Sequence, residues 1–467
     1  MTIRGDNGWR GACPVAVCGL VLALAFGWAG WAEAAPQGPV AVERWVLSNG
    51  LTVLFVERHA IPAVQAHLTI KTGAVADPAG RTGLAALTAG VLTKGTATRS
   101  AVEIAEAIDF IGGTLGADAT EDFSSVSLTV LKKDLKTGLS LMTDVALHPA
   151  FPSAEVDRVR RETLSAIQAA KDDPGTVADL AFAPLVFGQH PYGRPVQGVE
   201  HTVSSLTREE AVAFHRAFYR PNNAVLVLVG DLTPREARRV TKAAFGGWEK
   251  QSLPAVTVPA VAPLRERRVA MVDKDLTQAT VVLGHVGIAR RDPDFYAVTV
   301  MNYILGGGGF SSRLMTRVRD NEGLVYGISS GYDAKQYPGA FSVGLQTKTE
   351  SVTVAIRAVI EEIAKIRAEG ATEAELEAAK NYLAGSFPLR YETNARLASL
   401  LGMVELYGLG LTYFEDYPRN IRAVTLDDVR RVASARLDHE RYALVVVGRT
   451  GAITLDPAPT APVGASQ

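Results

Sequence analysis

The chain has 467 residues, with 48 basic and 49 acidic side chains and a formal net charge of −1. This balance, without a long run of either sign, argues against nucleic acid or an anionic membrane surface as a partner. Both cysteines, Cys13 and Cys18, lie in the N-terminal apolar segment, so the rest of the chain has no thiol nucleophile and no disulfide.

Segment 1–34 has the pattern of a signal peptide. Arg4 and Arg10 precede an apolar run that ends in Ala32-Glu33-Ala34, an A-x-A cleavage site. An uncleaved anchor is the alternative, because the run approaches the roughly 18 apolar residues that a spanning helix needs. The glycines and the cleavage site favour removal. We therefore expect an exported, periplasmic protein without membrane contact after signal removal.

Segment 35–252 is predicted to form the first domain. Asn49-Gly50 predicts a two-residue hairpin, and 64–73 predicts another strand. An amphipathic pattern over 153–171 predicts a long helix. Thr207 then starts a helix that leads into a strand over 224–229.

The second half repeats this order. Thr425 to Gly448 covers the same 23 residue steps as Thr207 to Gly230, again a capped helix followed by an apolar strand. The duplication of about 215 residues predicts two domains of one fold, far longer than a solenoid repeat. A capping box at Thr372 starts a further long helix over 372–385.

The grouping of strands between paired helices predicts an α+β fold. Each domain is expected to be a mainly antiparallel sheet with helices packed on one side, and the two domains to form a clam-shell. The proline-rich segment 253–265 is predicted to be the linker, 266–455 the second domain and 456–467 a flexible tail.

Two long stretches resemble one family, the pitrilysin/insulinase peptidases, and within it the processing-peptidase branch. They are HPYGRPVQGVEHTVSSLTREEAVAFHRAFYRPNNAVLVLVGDL, from His190, and LGGGGFSSRLMTRVRDNEGLVYGISSGY, from Leu305. The resemblance extends over about 41–448. It implies a helix at GLAALTAGVLTKGT, 83–96, that carries His-x-x-Glu-His in active members: two imidazoles bind Zn²⁺ and the Glu activates water.

This sequence has none of those groups. Alignment on Lys94-Gly95-Thr96 puts Ala86 and Gly90 at the histidine positions and Ala89 at the base. The third ligand, a Glu, aligns with Ala166, and the nearby Glu162 is interpreted as a solvated helix charge. We expect no metal in this chain and zinc in a partner subunit.

Other active sites are weakly supported. No two of the eight histidines are three or four residues apart, which disfavours a local metal motif but leaves a site built from distant histidines open. The glycine-rich stretch lacks the Gly-Lys-Ser/Thr ending of a phosphate loop. A Ser/His/Asp triad stays open, although Gly-x-Ser-x-Gly is absent.

The second half retains a different set of family residues. Arg319 and Tyr326 match an Arg and a Tyr that, by resemblance, contact the substrate backbone and the attacked carbonyl across the cavity from the zinc. Fixed guanidinium donors and a phenol O–H suit that role. The alternative is structural: Arg319 caps a helix and Tyr326 packs in a strand. Four loop residues are candidate substrate-binding residues: Gly307, Gly308, Gly309 and Phe310.

These observations predict the non-catalytic, substrate-binding subunit of an exported heterodimeric zinc metallopeptidase that acts on peptides. Its partner would be a homologous zinc-binding subunit, to whose site Arg319 and Tyr326 contribute. The alternatives are a peptide-binding or assembly scaffold without hydrolysis, and a self-sufficient peptidase with atypical zinc ligands.

Overall fold

The computed structural model describes residues 40–455; the predicted signal segment and tail lie outside this range. The first half forms a six-stranded sheet in the order β1-β2-β6-β3-β5-β4. Its strands are β1 (Glu43–Val46), β2 (Thr52–Glu57), β3 (Ala63–Ile70), β4 (Thr114–Ala119), β5 (Ser124–Leu131) and β6 (Ala224–Gly230).

The second half forms a five-stranded sheet in the order β7-β11-β8-β10-β9. Its strands are β7 (Arg268–Asp273), β8 (Gln278–Val286), β9 (Val325–Tyr332), β10 (Ala340–Lys348) and β11 (Ala443–Gly448). Each sheet has one parallel pair, β2 with β6 and β7 with β11, and is otherwise antiparallel. Strand order and pairing therefore repeat, as the duplicated sequence predicts.

Fourteen α-helices accompany these strands in the described range. In the first half they are α1 (Leu84–Val91), α2 (Ala101–Phe110), α3 (Leu135–Leu147), α4 (Ser153–Ala170), α5 (Pro174–Phe187), α6 (Glu200–Ser205), α7 (Arg208–Phe218) and α8 (Pro234–Phe245). In the second half they are α9 (Phe295–Asn302), α10 (Val352–Glu369), α11 (Glu373–Gly385), α12 (Asn394–Leu406), α13 (Tyr413–Ala423) and α14 (Leu426–Arg436). The predicted capping boxes at Thr207, Thr372 and Thr425 are all present.

Each half exchanges one helix with the other. Helix α12 packs on β3 and β6 of the first sheet, and α5 packs on β8 and β11 of the second. The contact is close at Gly402 of α12, where a Cβ would lie 2.8 Å from Thr69 Oγ1. The predicted fold class, an α+β clam-shell of two homologous domains, is confirmed. Each exchanged helix covers the second face of the sheet on which it packs.

The first hairpin differs from the prediction. Leu47 N–H donates to the Leu51 carbonyl at 2.9 Å, and Gly50 N–H donates to the Leu47 carbonyl at 2.9 Å. The loop therefore has three residues, Ser48 to Gly50, and Gly50 has a φ of +92°. The two-residue prediction was wrong because the glycine occupies the left-handed position that follows a tight turn.

Between the halves, the predicted linker 253–265 has no regular secondary structure, and its Leu264 is buried against α5 and the second sheet. Within residues 40–455, no helix combines the length and apolar character needed to cross a bilayer.

Candidate functional site

Helix α1 is the element at the family's metal-binding position. It begins after Gly83, whose φ of +99° and close contact with the Gln197 carbonyl require glycine. The buried Asp77 carboxylate accepts hydrogen bonds from the amides of Gly83 and Ala85, both at 2.9 Å. Burial raises the pKa of Asp77 to about 7, although these amides and Arg194 act in the opposite direction. Asp77 thus fixes where the helix starts.

The side chains of α1 offer no metal ligand at the expected positions. Ala86 and Gly90 are partly exposed one turn apart, whereas Ala89 has no exposed surface. A Cβ at Gly90 would lie 3.3 Å from Val159 Cγ1 of α4, so the two helices approach closely there. Ala166, at the third ligand position, is an exposed residue of α4.

The carboxylate nearest in sequence to that position is already paired. Glu162 accepts from Arg158 Nη1 at 2.6 Å, an i,i+4 ion pair on the outer face of α4. Its interpretation as a solvated helix charge agrees with this geometry.

Three of the four buried histidines in the described range, all but His67, bind backbone groups. His215 donates from Nε2 to the Ala146 carbonyl at 2.9 Å, and His285 donates from Nδ1 to the Val286 carbonyl at 2.9 Å. His190 accepts from the Tyr192 amide through Nδ1 at 3.1 Å. Burial lowers the pKa of both His190 and His215 to about 4. Across residues 40–455, no three His, Cys, Asp or Glu side chains gather into a possible metal site.

In the second half, the glycine-rich loop lies between two π-helical segments. Helix α9 widens into the first, Tyr303–Gly307, and the second, Met315–Asn321, leads to β9. Such segments are rare and occur frequently at functional sites. A Cβ on Gly306 would lie 2.5 Å from Ser330 Oγ of β9, and one on Gly308 would lie 2.7 Å from the Tyr303 carbonyl. These glycines allow the loop to lie directly against its neighbours.

The remaining loop positions are open to solvent. Gly309 has a φ of +59° and nothing within 4 Å of its Cβ position, and Phe310 is 73% exposed. Gly307 approaches Asn302, with a Cβ position 2.8 Å from Nδ2. Of the four predicted loop residues, Phe310 is the one whose side chain is available to a ligand.

Arg319 lies in the second π-helical segment, beside Phe310. Its guanidinium carbon is 5.0 Å from the centre of the Phe310 ring, and Nη1 donates to Asp320 Oδ1 at 3.1 Å. The structure therefore brings two predicted site residues into contact. The cation–π contact orients the guanidinium along the exposed loop.

Tyr326 lies at a β-bulge on the edge strand β9. Val325 pairs with Thr347 of β10 and Ile328 pairs with Leu345, so Tyr326 and Gly327 both lie opposite Gln346. Bulges redirect side chains and are common beside active sites. The Tyr326 side chain is 90% exposed, which excludes the alternative that it packs inside the sheet.

An ion-pair network that the sequence analysis missed fixes these segments to α10 and α11. Arg313 donates to both oxygens of Glu375, at 2.6 and 2.7 Å, and to the Gly370 carbonyl at 3.0 Å. Arg317 donates to Glu322 at 3.2 Å and also pairs with Glu361. The clustered arginines of SSRLMTRVRD were the available signal, but Glu361 and Glu375, which join them to α10 and α11, lie far along the chain.

A second missed cluster connects the two halves. The buried Asp122 carboxylate accepts from Tyr192 of the first half, at 2.5 Å. It also accepts from Tyr407 Oη at 3.0 Å and the Gln336 amide at 2.8 Å, both in the second half. Tyr192 belongs to the quoted His190-Pro191-Tyr192-Gly193 stretch, whose local role is thus structural.

These features define a class: a duplicated, two-sheet peptidase-like chain with small residues at the metal-site helix and an exposed Arg/Tyr region in the other half. The insulinase (peptidase family M16) model matches residues 52–198, and the model of the peptidase M16 inactive domain matches 205–383.

Related sequences are similar to this one over most of its length. An uncharacterized zinc protease of Streptomyces coelicolor is 33% identical over 77% of this chain and 79% of its own length. One from Mycobacterium tuberculosis is 32% identical over 89% and 95%. The chain belongs to the insulinase family, M16, and its sequence has no His-x-x-Glu-His.

Solved structures show the same fold. A structure described as the peptidase M16 inactive domain from Pseudomonas fluorescens has a TM-score of 0.84 and 31% identity, covering 89% of this chain and all of that one. A protease from Helicobacter pylori has a TM-score of 0.80 and 21% identity, covering 87% and 99%; it supports the fold alone.

Proposed function

We propose that this protein is the non-catalytic, substrate-binding subunit of an exported, periplasmic heterodimeric zinc metallopeptidase. A homologous partner with His-x-x-Glu-His would bind the zinc, and Arg319 and Tyr326 of this chain would complete its site. The observation that carries the proposal is the contrast between the two halves: Ala86, Ala89 and Gly90 offer no ligand, whereas Arg319 and Tyr326 are accessible.

The chemistry of the pair fits a bound peptide. The guanidinium presents fixed N–H donors to backbone carbonyls, and the 90% exposed phenol of Tyr326 can donate to an oxygen that becomes negative during carbonyl attack. Neither group needs large reorganisation, because the cation–π contact orients Arg319 and the bulge orients Tyr326. The zinc and its activated water would come from the partner.

The test is reconstitution with a zinc-binding partner and measurement of peptide cleavage. Arg319→Ala and Tyr326→Phe should each preserve folding and heterodimer formation. Loss of a fully engaged oxyanion donor should lower kcat by about 10²–10³. Loss of a contact that only positions the peptide should instead raise KM and leave kcat nearly unchanged.

A matched control is Arg430→Ala, which removes an exposed arginine paired with Asp427 on α14. It should change neither constant. If both site variants also leave kcat and KM unchanged, the scaffold alternative replaces this proposal. Stoichiometric zinc with chelator-sensitive cleavage by the single chain would instead support the self-sufficient peptidase. A melting curve for each variant separates lost folding from lost chemistry.

A further inference from the structure

Three aromatic side chains, Tyr303, Phe310 and Tyr382, lie in or against the glycine-rich loop, and the exposed Tyr326 lies further along the chain on β9. Phe310, Tyr326 and Tyr382 are 73%, 90% and 58% exposed, and Tyr303 is partly exposed. Large apolar surfaces that are exposed together commonly mark binding sites, whereas scattered ones need no explanation. Tyr303 and Tyr382 belong to no motif identified in the sequence.

Direct contacts connect most of this aromatic surface. The Tyr303 and Tyr382 rings are 5.0 Å apart at 31°. A Cβ on Gly308 would lie 3.0 Å from Tyr303 Cε1, so the loop backbone lies against that ring. Two residues further along, Phe310 contacts Arg319. The surface therefore runs from Tyr382, across Tyr303 and the loop, to the proposed substrate-contacting arginine.

An ion pair and hydrogen bonds fix the elements that carry this aromatic surface. Tyr382 is on α11. Glu375, at the start of this helix, forms a bidentate ion pair with Arg313, which follows the loop in sequence. Ser330 Oγ donates to Asn302 Oδ1 at 2.8 Å, and Asn302 Nδ2 donates to the Ser330 carbonyl at 3.1 Å, which joins the end of α9 to β9. Preorganisation of this kind lowers the entropy cost of binding.

We propose that Tyr303, Tyr382 and Phe310 form a subsite that accepts a large apolar side chain, aromatic or aliphatic, of an extended peptide. This inference rests on the proposed function and specifies its substrate class. Ring faces select apolar groups, and the nearby Arg319 guanidinium would donate to the backbone of the same peptide. Three rings of roughly 200 Å² each present less than the roughly 800 Å² per partner that a stable subunit interface needs.

Binding of labelled, unstructured peptides to the full chain tests the subsite directly. Two peptides should differ at one position, Phe or Ala, with the same charge. We expect the Phe peptide to bind about 5- to 10-fold more tightly, because one large side chain loses water contact. Tyr382→Ala should reduce that ratio below about 2, and Tyr382→Phe should keep it.

The matched control is Phe110→Ala, which removes a 92% exposed aromatic ring from α2 of the first half. It should leave the ratio unchanged. Equal binding of the two peptides to the wild-type chain, or an unchanged ratio in Tyr382→Ala, would overturn the subsite. So would weaker binding of the zinc-binding partner to Tyr382→Ala with the peptide ratio intact, which would assign the surface to the subunit interface.

The outcomes separate this inference from the proposed function. A retained Phe preference together with normal partner activity in Arg319→Ala would refute the contribution to catalysis and keep the subsite. Loss of activity in Arg319→Ala with no Phe preference would do the reverse.

Discussion

Helices α1 and α9 occupy equivalent places in the two halves, each after an equivalent strand, β3 or β8, yet their surroundings differ. Around α1, small residues pack closely against α4, and the carboxylate that caps the helix is buried. After α9, the chain widens into a π-helical segment and exposes aromatic rings. Alanine and glycine keep this helix packed and offer no metal ligand. Exposed aromatic side chains, in contrast, contribute little to folding and, where they are grouped, commonly mark binding sites.

The largest expected loss of stability comes from placing a charge on the buried side of α1. Ala89→Glu puts a carboxylate where no surface is exposed, and we expect it to lower the free energy of unfolding by about 3 kcal/mol or more. Ala86→Glu, at a partly exposed position of the same helix, should cost much less. Urea denaturation of both variants measures the difference, and equal costs would show that the first site is not closed.

The same helix provides a metal test. Ala86→His, Ala89→Glu and Gly90→His together should still bind no stoichiometric zinc, because Ala166 supplies no third protein ligand. Metal analysis of the purified triple variant, with a melting curve to show that it is folded, checks this expectation. Tight binding of one zinc per chain would mean that another group near α4 can act as a ligand.

A smaller loss of stability tests whether the two halves can unfold separately. Leu401→Ala empties a fully buried position on α12, in the shared core, and should cost about 2–4 kcal/mol. Because α12 covers the first sheet, both halves should unfold together in one transition. The exposed Leu389, changed to Ala, is the control and should stay close to wild type. Two separate transitions would contradict the shared core.

Close packing of the glycine-rich loop in the second half can be tested in the same way as the packing of α1. Gly306→Ala should cost about 1–3 kcal/mol, because its Cβ would lie 2.8 Å from Leu314 Cδ1 and from the Ser330 backbone nitrogen. Gly331→Ala, on β9 with nothing within 4 Å, should be nearly neutral. Thermal melts of the two variants test this; equal melting temperatures would show that the loop adjusts to the added methyl group.

The smallest effect concerns acid stability of the second half. Hydrogen bonds from Arg313 hold the pKa of Glu375 at about 2, below 4.5. The stability that the carboxylate contributes is therefore fully present above pH 4.5 and is lost as the pH falls toward 2. Glu375→Gln, which retains the capping hydrogen bonds, should flatten this dependence.

Arg313→Met removes the partner and should flatten it similarly. Denaturation midpoints between pH 5 and pH 2 provide the comparison. An unchanged slope in either variant would exclude this ion pair as the source.

Much of the fold could be predicted because its signals are local or repeated. The capping boxes, the apolar strands and the duplicated order all belong to short stretches of sequence, and the structure contains them. The hairpin at Asn49 was misjudged by one residue, since the same dipeptide fits two turn geometries.

Less of the candidate site could be predicted from the sequence. Arg319, Tyr326 and Phe310 were identified by family resemblance, but their exposure was not. The bulge depends on the register between β9 and β10, and Glu375 meets Arg313 only because α11 returns to the loop. Long-range contacts of this kind have no signature in a single sequence. Whether Arg319 and Tyr326 act on a peptide stays a prediction.

The exchange of α5 and α12 means that the duplicated halves are no longer independent folding units. Either half, produced alone, would expose an apolar sheet face and carry a helix with no surface to cover, which favours aggregation. A protease cut at the exposed residues 253–257 of the linker would, in contrast, leave two interlocked fragments that stay together. Folding must wait until the chain is nearly complete, because α12 is made long after β3, the strand it covers. Two identical single-repeat chains could cover both sheets in the same way by exchanging these helices between subunits.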